Sequence, residues 1–193
     1  MEKKMIIYIH GFSSHGYGGK ARALREYYAD KEEAFIAPSL SYIPELAIQT
    51  LEELVEVCEK DVKLIGSSLG GFYTIYLAQK YGLKAVLINP SIFPYETLKM
   101  TLGTPPNFYD GSHFEWKESH LEMLRKYETN VTRQKDFFLL VQKGDDVLDY
   151  REALNKLPNA KTVAEEGGDH SFLGIENYFD EMEEFLLHSD MVE

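Results

Sequence analysis

A serine framed by glycines, Gly66-Ser67-Ser68-Leu69-Gly70, follows the apolar run Val62 to Ile65 and precedes the apolar helical stretch Phe72 to Ala78. A serine hydroxyl is a weak nucleophile until a base takes its proton and a carboxylate orients that base. Both partners occur downstream, in the order serine, acid, base. Gly144-Asp145-Asp146-Val147 follows the apolar run Phe137 to Val141, and Gly167-Gly168-Asp169-His170 follows the run Lys161 to Ala164. His170 is the candidate to accept the Ser68 proton and return it to a leaving group, with Asp145 or Asp146 fixing its tautomer.

The pattern G-x-S-x-G between a strand and a helix is the nucleophile elbow. Gly66 and Gly70 are expected where any side chain would strike the neighbouring strand and helix. Ser68 then sits beside a helix N-terminus, where a developing oxyanion is favoured. Two backbone N–H donors are needed to hold that oxyanion. Leu69 supplies one, and Phe12 in Ile9-His10-Gly11-Phe12 the other, with His10 bracing the loop. No H-E-x-x-H or comparable spacing points to a metal, and Gly16, Gly18 and Gly19 lead to Lys20-Ala21 without the G-K-[ST] of a phosphate loop, so neither metal nor cofactor is expected.

Short β-branched runs alternate with helical patterns, the signature of a parallel sheet with crossover helices. The expected strands are Met5 to Ile9, Ala34 to Ala37, Val62 to Ile65, Ala85 to Ile88, Phe137 to Val141 and Lys161 to Ala164. The expected helices are Lys20 to Tyr28, Pro44 to Glu59, Leu69 to Tyr81, Asp149 to Leu157 and Glu176 to His188. One connection is far longer than the rest, residues 91–134 between the fourth and fifth strands, with a helical pattern over Glu115 to Tyr127. It reads either as a cap or lid inserted in a single domain spanning 1–193 or as a satellite core under a long connection, and its aromatics either form an apolar substrate pocket of Phe93, Tyr95 and Trp116 with Ser13 or pack the insertion onto the core.

The chain of 193 residues carries 20 Lys+Arg against 32 Asp+Glu, a formal charge of −12 that disfavours a phosphate-backbone binder, so no nucleic-acid partner is expected. Residues 164–193 hold ten of the acids and no Lys or Arg. The acids flanking His170, Glu165, Glu166 and Asp169, favour neutral esters over strongly anionic thioesters. A lone cysteine, Cys58, rules out an intramolecular disulfide framework. With no apolar run near the ~20 residues of a membrane span, the expected location is the cytoplasm.

The blocks Ile9-His10-Gly11-Phe12, Gly66-Ser67-Ser68-Leu69-Gly70-Gly71, Gly144-Asp145-Asp146-Val147-Leu148-Asp149-Tyr150-Arg151 and Glu166-Gly167-Gly168-Asp169-His170-Ser171-Phe172 together resemble the α/β-hydrolase superfamily, and within it the small bacterial YqiA-like esterases. The resemblance also covers the Asn89-Pro90 turn. It implies a compact α/β-hydrolase fold of about six strands and a serine esterase with nucleophile Ser68, acid Asp145 and base His170, acting on acyl esters or thioesters. It departs from the family at Phe93, where an arginine is usual, and at Ser13, where an asparagine is usual. Acyl-CoA hydrolysis, acyl transfer on the same triad, and a non-catalytic ligand sensor are the competing functions.

Overall fold

The computed structural model describes residues 4–58 and 61–187. Six strands form one sheet: β1 (Lys4–Ile9), β2 (Ala34–Ile36), β3 (Asp61–Ser68), β4 (Ala85–Pro90), β5 (Phe137–Gln142) and β6 (Lys161–Glu165). Their spatial order is β2-β1-β3-β4-β5-β6, and every neighbouring pair is parallel. Parallel order requires crossovers. These contain α1 (Gly19–Tyr27), α2 (Pro44–Val57), α3 (Leu69–Tyr81), the short α4 (Pro94–Thr97), α5 (Glu118–Arg125) and α6 (Tyr150–Lys156), and α7 (Phe179–Leu187) closes the described chain. The α/β architecture expected from the sequence is the one observed. Glu59 and His188, the expected ends of two helices, lie outside the described residues.

Strand periodicity divides the core between the two faces of the sheet. Ile7, Leu64, Leu87 and Leu139 pack under α2, α3 and part of the 91–134 connection, whereas Ile6, Ile65, Val86 and Phe138 pack under α1 and α7. All six residues of β4 and all six of β5 are buried, as expected of strands covered on both faces. Acidic residues on α7 stand opposite its buried Phe179, Met182 and Leu186, so much of the C-terminal negative charge forms the outer face of a helix. That helix is preceded by a 3-10 turn at Ile175–Tyr178, which takes the first three residues of the span Glu176 to His188 expected to be α-helical. No helix among the described residues is long and apolar enough to cross a membrane.

The strands run further at their C-terminal ends than hydropathy suggests. β3 continues through Gly66 and Ser67 to Ser68, β4 to Pro90, β5 to Gln142 and β6 to Glu165. Backbone pairing persists there while the side chains turn small or polar. Those extra residues lie at one edge of the sheet, and the candidate site is built on them.

Candidate active site

Ser68 ends β3 and is the residue before α3, with φ 55° and ψ −124°. A serine at positive φ is strained, and such strain persists only where the surroundings enforce it. The surroundings here are contacts too close for a side chain. A Cβ on Gly66 would lie 2.1 Å from Thr74 Oγ1, and one on Gly70 would lie 2.0 Å from the Ile9 carbonyl oxygen. The register between β3 and β4 also shifts at Ser67/Ser68, so that Ser68 pairs with Pro90. Strand, turn and helix therefore lift the hydroxyl out of the sheet.

His170 and Asp145 meet Ser68 from the two later loops. His170 Nε2 lies 3.1 Å from Ser68 Oγ, and His170 Nδ1 lies 2.8 Å from Asp145 Oδ2. The second Asp145 oxygen accepts the N–H groups of Val147 at 2.8 Å and Leu148 at 2.9 Å. Burial acts to raise the Asp145 carboxyl, but the bonds from His170, Leu148 and Val147 outweigh it and hold the carboxyl below its ordinary range. An ionised carboxylate only accepts, so Nδ1 of His170 carries the proton and Nε2 is free to accept from Ser68. Asp146 is exposed and does not contact His170 in this way.

Phe12 lies in the loop after β1, and Leu69 is the first residue of α3, where a backbone N–H has no intrahelical acceptor. A Cβ on Gly11 would fall 3.1 Å from Ser68 Cβ, so the Phe12 loop passes close against Ser68. His10 fixes this loop. Leu40 N–H donates to its Nε2 at 3.0 Å, leaving Nδ1–H to donate to the Gly11 carbonyl at 2.9 Å. Burial lowers the His10 pKa, in keeping with that neutral tautomer.

Two side chains hold the His170 loop: Gln142, which sequence reasoning passed over, and Asn89, which entered it only as part of the Asn89-Pro90 turn. The Gln142 side chain, at the end of β5, accepts the N–H groups of Asp169 and Leu173 on Oε1 and donates through Nε2 to Glu165 and the Leu173 carbonyl. Asn89, at the end of β4 with φ 39°, donates through Nδ2 to the Asp169 and His170 carbonyls and accepts Gln142 N–H. A polar residue closing a wholly apolar strand run was the available signal. Glu165 also accepts from Tyr178, and Glu166 pairs with Lys143, so two of the three acids flanking His170 are committed to protein partners. Lys20 brings positive charge to the same loop, its ammonium donating to the Ser171 carbonyl at 2.7 Å. Burial lowers the Lys20 pKa, and Asp169, Glu176 and Asp145 oppose that shift.

Three cavities surround this constellation. One of about 410 Å³ reaches Ser68 and Leu69 and is walled by Pro94, Leu98, Met100, Val147 and Leu148. One of about 230 Å³ lies on the His170 side, with Lys20, Ser171, Ser14 and Phe108. A third, of about 320 Å³, contains Ser13, Tyr42 and Phe114 behind Phe12. Of the expected pocket residues, Ser13 lines a cavity, whereas Phe93, Tyr95 and Trp116 line none of the three. Trp116 is 2% exposed and packs edge-on under Phe12 at 4.8 Å, Tyr95 bonds Glu128 beneath Arg125, and Phe93 packs beside Tyr95 on the core. These aromatics found burial within the 91–134 connection, and the larger cavity is lined instead by Phe12, aliphatic residues and Met100, with Glu96, Thr97, Lys99 and Thr101 among its polar members. No group of three or more His, Cys, Asp or Glu that could hold a metal ion occurs among the described residues.

The model of the family described as "Uncharacterised protein family (UPF0227)" matches residues 5–187. A UPF0227 protein YcfP from Salmonella paratyphi A is 24% identical over 189 residues, covering 94% of this chain and 98% of the relative. Among solved structures, Est1E from Butyrivibrio proteoclasticus superposes with a TM-score of 0.73 at 15% identity, over 96% of this chain and 88% of that one. A Paleococcus ferrophilus monoacylglycerol lipase gives 0.67 at 15% identity over 96% and 95%. A putative hydrolase from Agrobacterium vitis gives 0.70 at 17% identity over 93% and 85%. The fold is that of the α/β hydrolases.

Proposed function

Because the chain belongs to the UPF0227 family and has the α/β-hydrolase fold, we propose that it is a serine esterase with nucleophile Ser68, base His170 and acid Asp145. The observation that carries this reading is the continuous relay from Ser68 Oγ through both nitrogens of His170 to Asp145. Esterases and a lipase among the structural neighbours support the reaction class.

Ser68 Oγ attacks the acyl carbonyl as its proton passes to His170 Nε2, and Asp145 stabilises the imidazolium that forms. The oxyanion is received by the N–H groups of Phe12 and Leu69. His170 then protonates the leaving alcohol or thiol, and water releases the acid from Ser68 by the reverse proton route. Since His170 serves the leaving group, that group occupies the cavity on the His170 side, and the acyl chain occupies the larger cavity under Leu98, Met100 and Val147. The substrate class is a small-molecule acyl ester or thioester.

Fluorophosphonate labelling followed by peptide mapping tests the nucleophile. The expected adduct is on Ser68 and disappears in His170→Ala. An unlabelled Ser68, or an adduct on another serine, would contradict the assignment and favour a ligand sensor that merely retains the fold.

A further inference from the structure

The cavity on the His170 side carries a cation that no carboxylate among the described residues pairs. Lys20, the second residue of α1, lines this cavity together with Ser68 and His170. Its ammonium donates to the Ser171 carbonyl at 2.7 Å and forms no ion pair among the described residues. An ammonium has three N–H donors, so two remain beyond the Ser171 bond. Lys143, which reaches the same loop, is by contrast paired with Glu166. A partly buried charge is ordinarily compensated, and the lowered Lys20 pKa registers the cost of its burial. The acids that oppose this shift act from further off: Asp145 is engaged by His170, and Asp169 and Glu176 are exposed to water.

Ser171 follows the proposed base, so the ammonium is anchored one residue from the group that protonates the leaving atom. The Ser14 side chain makes no hydrogen bond among the described residues and lines the same cavity of about 230 Å³, whose apolar walls include Phe12 and Phe108. A cation and a hydroxyl between apolar walls suit a carboxylate on a short or aromatic frame. The nearby acids limit how much charge is tolerated. A phosphate, with about two negative charges, meets nearly twice the repulsion from Asp169 and Glu176, whereas a carboxylate brings the single charge that Lys20 neutralises.

We propose that Lys20 selects esters whose leaving alcohol carries a carboxylate a few atoms from the ester oxygen, so that the preferred substrates are acyl esters of hydroxycarboxylic acids, phenolic ones included. The inference rests on the reading of Ser68 as nucleophile and of the His170 side as the leaving-group site. A leaving group with a neutral substituent forgoes the charge-assisted bond to Lys20, and that difference is the selectivity.

The test compares 4-(butyryloxy)benzoate with 4-(butyryloxy)benzamide. Each kcat/KM is divided by the rate constant for cleavage of the same ester by free imidazole, which removes the difference in leaving-group chemistry. The expected normalised ratio is at least about tenfold in favour of the carboxylate, the factor equivalent to about 1.4 kcal/mol. It falls towards one in Lys20→Met and recovers in Lys20→Arg, which restores the charge. Loss of the Ser171 contact alone would slow both esters together and leave the ratio unchanged, so the ratio separates a ligand contact from support of the loop. A ratio near one in the unmodified protein, which needs no variant to fold, or a ratio unchanged in Lys20→Met overturns the proposal. Ser68→Ala separates the two levels of inference: if it still cleaves both esters, the nucleophile assignment fails, whereas if it is inactive and the ratio ignores Lys20, only the leaving-group proposal fails.

Discussion

The His170 loop and the 91–134 connection both border Ser68, yet they are held by opposite kinds of force. The loop is tied by directional bonds from two buried amides, Gln142 and Asn89, which between them engage Asp169, His170 and Leu173. The connection is anchored mainly by apolar burial of Trp116, Leu121 and Leu124. Two isolated bridges, Gly103–Trp116 and Pro106–His113, and the Phe108 N–H bond to the Ser13 carbonyl add the polar contacts that position it over the site. The contrast follows from the tasks proposed for them. A general base must be placed to a fraction of an ångström, while the wall of an acyl cavity needs volume and apolar surface.

Removing the amide scaffold gives the larger effect of two tests of this contrast. Gln142→Ala leaves the N–H groups of Asp169 and Leu173 without their acceptor, and is expected to cost about 3 kcal/mol of stability at about 1–3 kcal/mol per unpaired buried group. Misplacement of His170 should lower kcat on the order of 10²-fold with KM little changed. Denaturant unfolding and ester kinetics check both. A variant that unfolds more easily but turns over at the unmodified rate would show the amide to be structural only.

Met100→Ala is expected to do the reverse. Met100 is 88% exposed at the rim of the larger cavity, so the stability change should stay within about 0.5 kcal/mol. A p-nitrophenyl ester chain-length series should nevertheless show kcat/KM for the longer chains falling severalfold, by roughly the lost contact of two or three methylene-sized groups at a partly wet surface. If long and short esters respond alike, the acyl chain does not run beneath Met100.

The same division explains how much was legible in the sequence. Ser68, His170, Asp145 and the turn glycines stood out because their residue types are constrained by chemistry and by close backbone approach, and all three side chains converge. The six strands were visible as apolar runs. Their polar extensions were not, because Ser67 and Gln142 pair through the backbone, and Asn89 is the residue skipped at the β3–β4 register shift, while all three break the hydrophobic pattern. The cavity wall stayed ambiguous for a related reason, and of the two readings of the aromatics the packing one holds. Aromatic residues mark any place that buries large surface, and Trp116 and Tyr95 found that burial under the connection rather than around the site. Which apolar side chains face a cavity depends on how 91–134 folds back, and no local period encodes that.

The central claim is that Ser68 acts as the nucleophile of a relay, and turnover of a p-nitrophenyl acyl ester by Ser68→Ala, measured beside the unmodified protein, tests it most directly. The account predicts a fall in kcat on the order of 10⁶-fold, as for a triad acting as a unit, in a protein that remains folded. Turnover within tenfold of the unmodified rate would contradict it.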